Sequence, residues 1–254
     1  MEHHFLDLYS LEKGALQKID PRAKIITFFS FVIVVVQTPI THALSFYLYL
    51  LLPLILASVS RVPLGFLLKR SLLIIPFVLL VSIFIPFLGG AEVVGSYNLV
   101  FFDLSITKEG ILIFLNILVK AWLSVFALTL LTATTRFQDL LGGFQKLRLP
   151  QTFVMVLSFL YRYLFVLEDE FMRMRRARDS RNFGGSWRWK IKTVGNMFGT
   201  LFIRAYERGE RVYAAMLARG FSGEVKLIQE LKFGRVDLQF SILFLTAILI
   251  MRLL

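Results

Sequence analysis

The chain has 254 residues, 57% of them hydrophobic, with a mean hydropathy of +0.70, a net charge of +12, no Cys and three His. An apolar share above the roughly 45–50% of soluble domains, gathered in blocks, excludes an ordinary soluble globule. The absence of Cys excludes disulfides and thiolate metal sites, and His3, His4 and His42 are too few for a multi-His cage.

Residues 1–22 read as a polar N-terminal segment. Met1 to Asp7 is polar and acidic, so no cleavable signal peptide is expected. Asp20-Pro21-Arg22 ends the segment, with Pro at a first helical position. Residues 23–38 form a first apolar span, closed by Pro39. Residues 43–60 form a second, in which Pro53 is tolerable if neighbouring groups satisfy the freed backbone. Arg61, Lys69 and Arg70 fall in a short loop. Residues 71–88 form a third span, ended by Gly89-Gly90. A polar connection over 89–110 carries Glu92, Asp103, Lys108 and Glu109. Residues 111–135 form the fourth span, with Lys120 near its middle.

Residues 136–235 hold 19 Lys and Arg against nine Asp and Glu, a net +10, and residues 236–254 close the chain with a final apolar block. Basic and non-basic loops alternate, which sets the N-terminus and the basic region on the cytoplasmic side and the C-terminus outside. Residues 149–167 are apolar enough to span, but basic clusters on both flanks and Arg162 within favour a helix at the interface. The expected fold is an all-α integral membrane protein with about five transmembrane helices and a basic helical cytoplasmic module. Its divisions are 1–135, 136–235 and 236–254.

Within the basic region two helical runs each end in Ala-Arg with Gly soon after. The first is Arg173 to Arg181, followed by Gly184-Gly185, and the second is Glu210 to Gly220. Gly past the last turn stops a helix, and a cation there meets the negative end of the dipole. A guanidinium so displayed can pair bidentately with an acidic groove. On the pattern alone, an ordinary solvated or lipid-facing arginine remains open.

These paired segments resemble the two arginine motifs of the transmembrane T component of energy-coupling-factor transporters. The surrounding chain resembles its cobalt/nickel subgroup, the CbiQ family. Asp20 to Lys24, Tyr161-Arg162-Tyr163, Leu167 to Glu170, Arg173 to Arg181 and Glu210 to Phe221 carry the likeness. The resemblance implies a non-catalytic subunit that joins two ATP-binding-cassette ATPases to a substrate-binding membrane subunit of the CbiM or S-component type. Uptake of cobalt or nickel ion is the implied task. Arg178 and Arg219 would enter grooves on the ATPases, with Ala177, Ala218 and Gly220 allowing close fit and Arg181 a secondary candidate. ATP and magnesium would belong to the ATPases, leaving this chain without a cofactor or metal. Asp179 departs from the small residue the family often has there, and an acid beside Arg178 can hold it internally.

Other residues carry weaker signals. Lys120, an ionisable group at membrane depth, could centre an ATP-independent transporter or channel, or pair inside the bundle or snorkel. The +10 region could instead make the chain a scaffold for anionic lipid or an acidic protein. Trp187-Arg188-Trp189-Lys190 fits an interfacial anchor beside a lipid bilayer better than base stacking, and no nucleic-acid partner is expected. His3-His4 lacks a third ligand. No Gly-rich phosphate loop ending in Lys-Ser/Thr is present, so ATP hydrolysis is not expected of this chain.

Overall fold

The computed structural model describes residues 14–39, 42–87, 93–99, 102–181, 186–223 and 233–253. The chain divides into two compact units, one over Phe144–Glu230 and the other over Glu2–Gly143 with Leu231–Leu254. His3, His4 and Gly184-Gly185 lie outside the described residues.

In the larger unit, α1 (Pro21–Gln37) starts where the sequence marks it. Asp20 is the N-cap, its carboxylate accepting from the Arg22 amide at 2.8 Å, with Pro21 at the first turn. The helix ends at Thr38, before Pro39. The next helix, α2 (Ala43–Val59), absorbs Pro53 without a break. The third apolar segment differs from expectation. It begins at Leu64 and is broken into α3 (Leu64–Leu72) and α4 (Ile75–Ser82). Pro76 has no amide hydrogen for the Leu72 carbonyl, which accounts for the break. Lys69 and Arg70, expected in a loop, therefore sit in the last turn of α3, where the helix dipole favours cations.

The polar connection also has regular structure. It folds into an antiparallel hairpin, β1 (Val93–Leu99) with β2 (Phe102–Thr107), irregular in register between Val93 and Gly95. The helical fold class stands, with this hairpin as an addition. From it the chain enters α5 (Lys108–Thr134), followed by the amphipathic α6 (Phe137–Lys146). The last helix, α9 (Arg235–Leu253), returns to this unit after α7 and α8.

Helix α1 packs on α5 and α9. Phe28, Phe31 and Val35 recur on one face of α1 and are fully buried, as are Leu123, Phe126, Ala127 and Leu130 of α5 and Phe244 and Ile248 of α9. The Phe244 ring lies 5.7 Å from Phe28 and 6.4 Å from Phe31, and Tyr49 of α2 meets Phe31 edge-on at 5.9 Å. Away from this seam the helices are apolar and open: Phe29, Ile33, Leu73, Leu80, Leu243 and Leu253 are all exposed. So much apolar surface is tolerable in lipid and not in water.

Among the described residues, Leu64–Ser82, α5, α7 (Gln151–Arg181) and α9 are long and apolar enough to cross a membrane, with a shorter apolar helix at Leu44–Val59. This is a multi-pass membrane protein.

Two lysines tie α1 to α5 reciprocally. Lys24, 1% exposed in the first turn of α1, donates to the Thr134 carbonyl at 3.2 Å and to Thr135 Oγ1 at 3.1 Å, at the C-terminal end of α5. Lys120 of α5 donates to the Val36 carbonyl at 2.9 Å, in the last turn of α1. Each helix thus supplies a cation to carbonyls that the other's end leaves without an intrahelical donor. At the Lys24 end, the Asp20 amide donates to Asp237 Oδ1 at 2.8 Å, and the Gly234 amide donates to Asp237 Oδ2 at 2.7 Å, fastening the start of α9. Gly143 at the end of this unit lies close against α1: a Cβ there would come 2.9 Å from Ile25 Cδ1.

The smaller unit contains α7 and α8 (Trp187–Ala218), 31 and 32 residues long. They meet where Phe171 stacks on Phe198 at 5.3 Å and where Glu170 of α7 takes a hydrogen bond from Arg204 of α8. Ser186 caps the start of α8, its hydroxyl accepting from the Trp189 amide.

Candidate functional site

The second arginine motif is built by the way α8 stops. After Ala218, Arg219 is the C-cap and Gly220 takes a φ of +78°. The Gly220 amide donates to the Leu217 carbonyl at 3.0 Å, and the Phe221 amide to the Met216 carbonyl at 3.1 Å. This is the six-to-one and five-to-two pairing of a Schellman turn, which requires a left-handed residue in the Gly220 position. A Cβ on Gly220 would meet nothing within 4 Å, so its demand for glycine is conformational. Gly220 was expected to serve close approach, and the turn adds this second reason for it. Ala218 and Arg219 are exposed, and the Arg219 guanidinium has no hydrogen-bond or ionic partner among the described residues.

The first motif is arranged differently. Arg178 lies in the last turn of α7, with Ala177 exposed beside it. Its Nε and Nη2 both donate to Asp179 Oδ1, at 2.9 and 2.6 Å, and its side chain is only 26% exposed. Arg175 approaches the other oxygen of Asp179 at 3.8 Å. The acid next to the motif thus does hold the guanidinium internally. Arg181, the last residue of α7, is exposed.

Glu170 organises the junction of the two helices. It accepts from Arg173 at 2.5 Å, one turn on, and from Arg204 across the interface. The hydrogen bonds from Arg173 and then Arg204 hold its carboxyl below the ordinary glutamate range.

On one side of this junction runs an apolar groove of about 450 Å³. Met155, Phe159, Tyr163 and Leu167 line it from α7 at four-residue spacing, and α8 contributes Ala205, Gly209, Val212 and Met216. Phe221, past the Schellman turn, also lines it. The pattern of apolar residues in α7 was visible in the sequence, but the groove was not, because it needs the matching stripe from α8. Lys120 stands in the other unit, bonded to the Val36 carbonyl as described. Among the described residues no cluster of His, Cys, Asp and Glu is arranged to hold a metal.

Residues 12–230 match the CbiQ family, described as cobalt transport protein. An uncharacterized protein of Methanocaldococcus jannaschii is 31% identical over 98% of this chain and 87% of its own length. The energy-coupling factor transporter transmembrane protein EcfT of Listeria innocua is 32% identical over 88% of this chain and 86% of its own. A putative fused cobalt transport protein CbiMQ of Methanocorpusculum labreanum is 28% identical over 90% of this chain and 38% of its own.

Proposed function

The chain belongs to the CbiQ family, the transmembrane T components of energy-coupling-factor transporters, and on that premise we propose that its α7–α8 unit couples two cytoplasmic ATPases to a substrate-binding membrane subunit. The observation that carries the reading is Arg219: an exposed guanidinium with no acidic partner among the described residues, presented by a Schellman turn at the end of a 32-residue helix. Such a group can enter an acidic groove and pair bidentately. Arg178 and Arg181 serve the second ATPase at the end of α7. ATP and magnesium are held by the ATPases, and this chain contributes no catalytic group.

Coupling then works by differential contact. A partner that binds equally well in both ATPase states shifts nothing. Closure of the ATPases must therefore strengthen or redirect the contacts at the helix ends, and the long, continuously hydrogen-bonded helices carry that displacement to the membrane. The cargo is cobalt or nickel ion, a reading supported by the family description and by the fused cobalt transport relative. The basic unit and the N-terminus lie on the cytoplasmic side and the C-terminus outside, in accord with the Lys and Arg excess in the corresponding loops. ATP-free transport through Lys120 has less support, since its ammonium is already committed to a helix-end carbonyl.

The test is retention of the partner ATPases on the purified chain, comparing wild type with Arg178→Glu, Arg219→Glu and the double variant. Retention by wild type and loss in the double variant is expected. Retention of ATPase by the double variant at the wild-type level would overturn the role of the motifs.

A further inference from the structure

The apolar groove between α7 and α8 does not end in solvent alone. Its wall at Leu167, Ala205 and Arg208 is shared with a smaller pocket of about 200 Å³ lined by Glu170, Arg204, Glu207 and Arg211. The charges there are nearly matched. Arg204 pairs with Glu170, and Arg211 lies 3.7 Å from Glu207. Arg208, half-buried at the junction of the two pockets, has no acidic partner among the described residues. A long apolar groove thus opens at one side onto a single uncompensated guanidinium.

The dimensions and chemistry match one class of molecule. From Met155 to Leu167 the groove follows twelve residues of helix, about 18 Å at 1.5 Å per residue. That is close to half of the roughly 30 Å hydrocarbon thickness, the depth that one acyl chain covers. The groove lining includes two tyrosines, Tyr163 and Tyr213, whose rings suit a boundary between apolar and wet surroundings. We propose that the α7–α8 groove holds one acyl chain of an anionic phospholipid whose phosphate pairs with Arg208. An apolar protein segment would use the groove but would leave Arg208 uncompensated. The lipid satisfies both halves with one molecule.

The site also offers a clean way to be emptied. A Cβ on Gly209 would meet nothing within 4 Å, so a larger side chain there can occupy the groove without displacing either helix. The test is native mass spectrometry of the purified full chain, mixed in detergent with equal amounts of phosphatidylglycerol and of diacylglycerol of the same acyl length, which lacks the phosphate. Wild type is expected to retain the anionic lipid about tenfold over the neutral one, the ratio that one charge-assisted pair confers. Arg208→Gln should erase that preference, Arg208→Lys should keep most of it, and Gly209→Leu should lose retention of both lipids. Equal retention of the two lipids by wild type overturns the proposal, as does a preference that survives Arg208→Gln. Displacement of the lipid by glycerophosphate alone overturns the acyl-chain half, since a free phosphate would then suffice. None of these readouts depends on an ATPase being bound, so they fail or succeed separately from the coupling role.

Discussion

Arg178 must give up two hydrogen bonds to Asp179 before its guanidinium can meet an acidic partner, whereas Arg219 makes no such bond among the described residues. A charge-assisted bond of this kind has a net worth of about 1.5 kcal/mol or more, or roughly tenfold in affinity. Arg219→Glu is therefore expected to weaken ATPase retention about tenfold more than Arg178→Glu, and Asp179→Ala should strengthen it. Titrating ATPase onto the immobilised chain measures both, and equal losses at the two arginines would remove Asp179 from the account. Lys24 is the other residue with a definite expectation. Replacing it with Met keeps the volume but removes the donor to Thr134 and Thr135. A loss of about 2 kcal/mol is expected, read as a lowered unfolding midpoint of the detergent-solubilised chain. The helix end at Arg219 was legible in the sequence because Ala-Arg before Gly is a local signature of a helix stop. Lys24 was not: as the last basic residue before an apolar block it looks like a snorkelling flank. Its burial depends on a partner 110 residues away.

At the scale of elements, helix ends decide most of what is specific here. Arg148 follows α6 in the same Schellman pairing as Gly220 but without glycine. Its φ is +69°, with Arg148 donating to Gln145 and Leu149 to Phe144. A side chain in that conformation costs roughly 1 kcal/mol. Arg148→Gly should raise stability by up to about 1 kcal/mol, which a thermal melt would detect; a fall would mean that the guanidinium makes compensating contacts. The α7–α8 junction carries a pH signature. Glu170 is held below the ordinary glutamate range when folded, so its contribution is complete above the unfolded carboxyl's range. It is lost as pH falls through the lower folded value. Glu170→Gln should therefore flatten the acid limb of the melting profile and leave the neutral limb lower than wild type throughout. The strand β2 has a sequence signature: Phe102-Asp103-Leu104-Ser105-Ile106-Thr107 alternates strictly, the period of a strand. The break between α3 and α4 was signalled by Pro76, whereas Pro53 in α2 left its helix intact, so proline alone does not locate a break in an apolar helix.

For the whole molecule, composition and the apolar blocks imply a multi-pass membrane protein, and the exposed apolar faces of the helices agree, since they leave only lipid as a solvent. The apolar blocks located the helices to within a few residues, apart from the third. The compact unit over Phe144–Glu230 holds α7 and α8, the two longest helices among the described residues. What could not be read was the pairing of elements, which arises from contacts far apart in sequence.

The reciprocal lysines of α1 and α5 have a consequence for how the protein is made. When α1 leaves the ribosome, neither the Lys24 ammonium nor the Val36 carbonyl has its eventual partner; those lie 110 and 84 residues downstream. At roughly 5–20 residues per second, α1 waits on the order of ten seconds with a charge at its entrance and a bare carbonyl at its exit. The insertion machinery has to shelter it for that interval, and α1 and α5 should be released into lipid as a pair. Chains arrested just before residue 108 should remain crosslinkable to the translocon through α1, and chains arrested well after residue 135 should not. Early release of α1 in the shorter chains would show that the bilayer tolerates it alone.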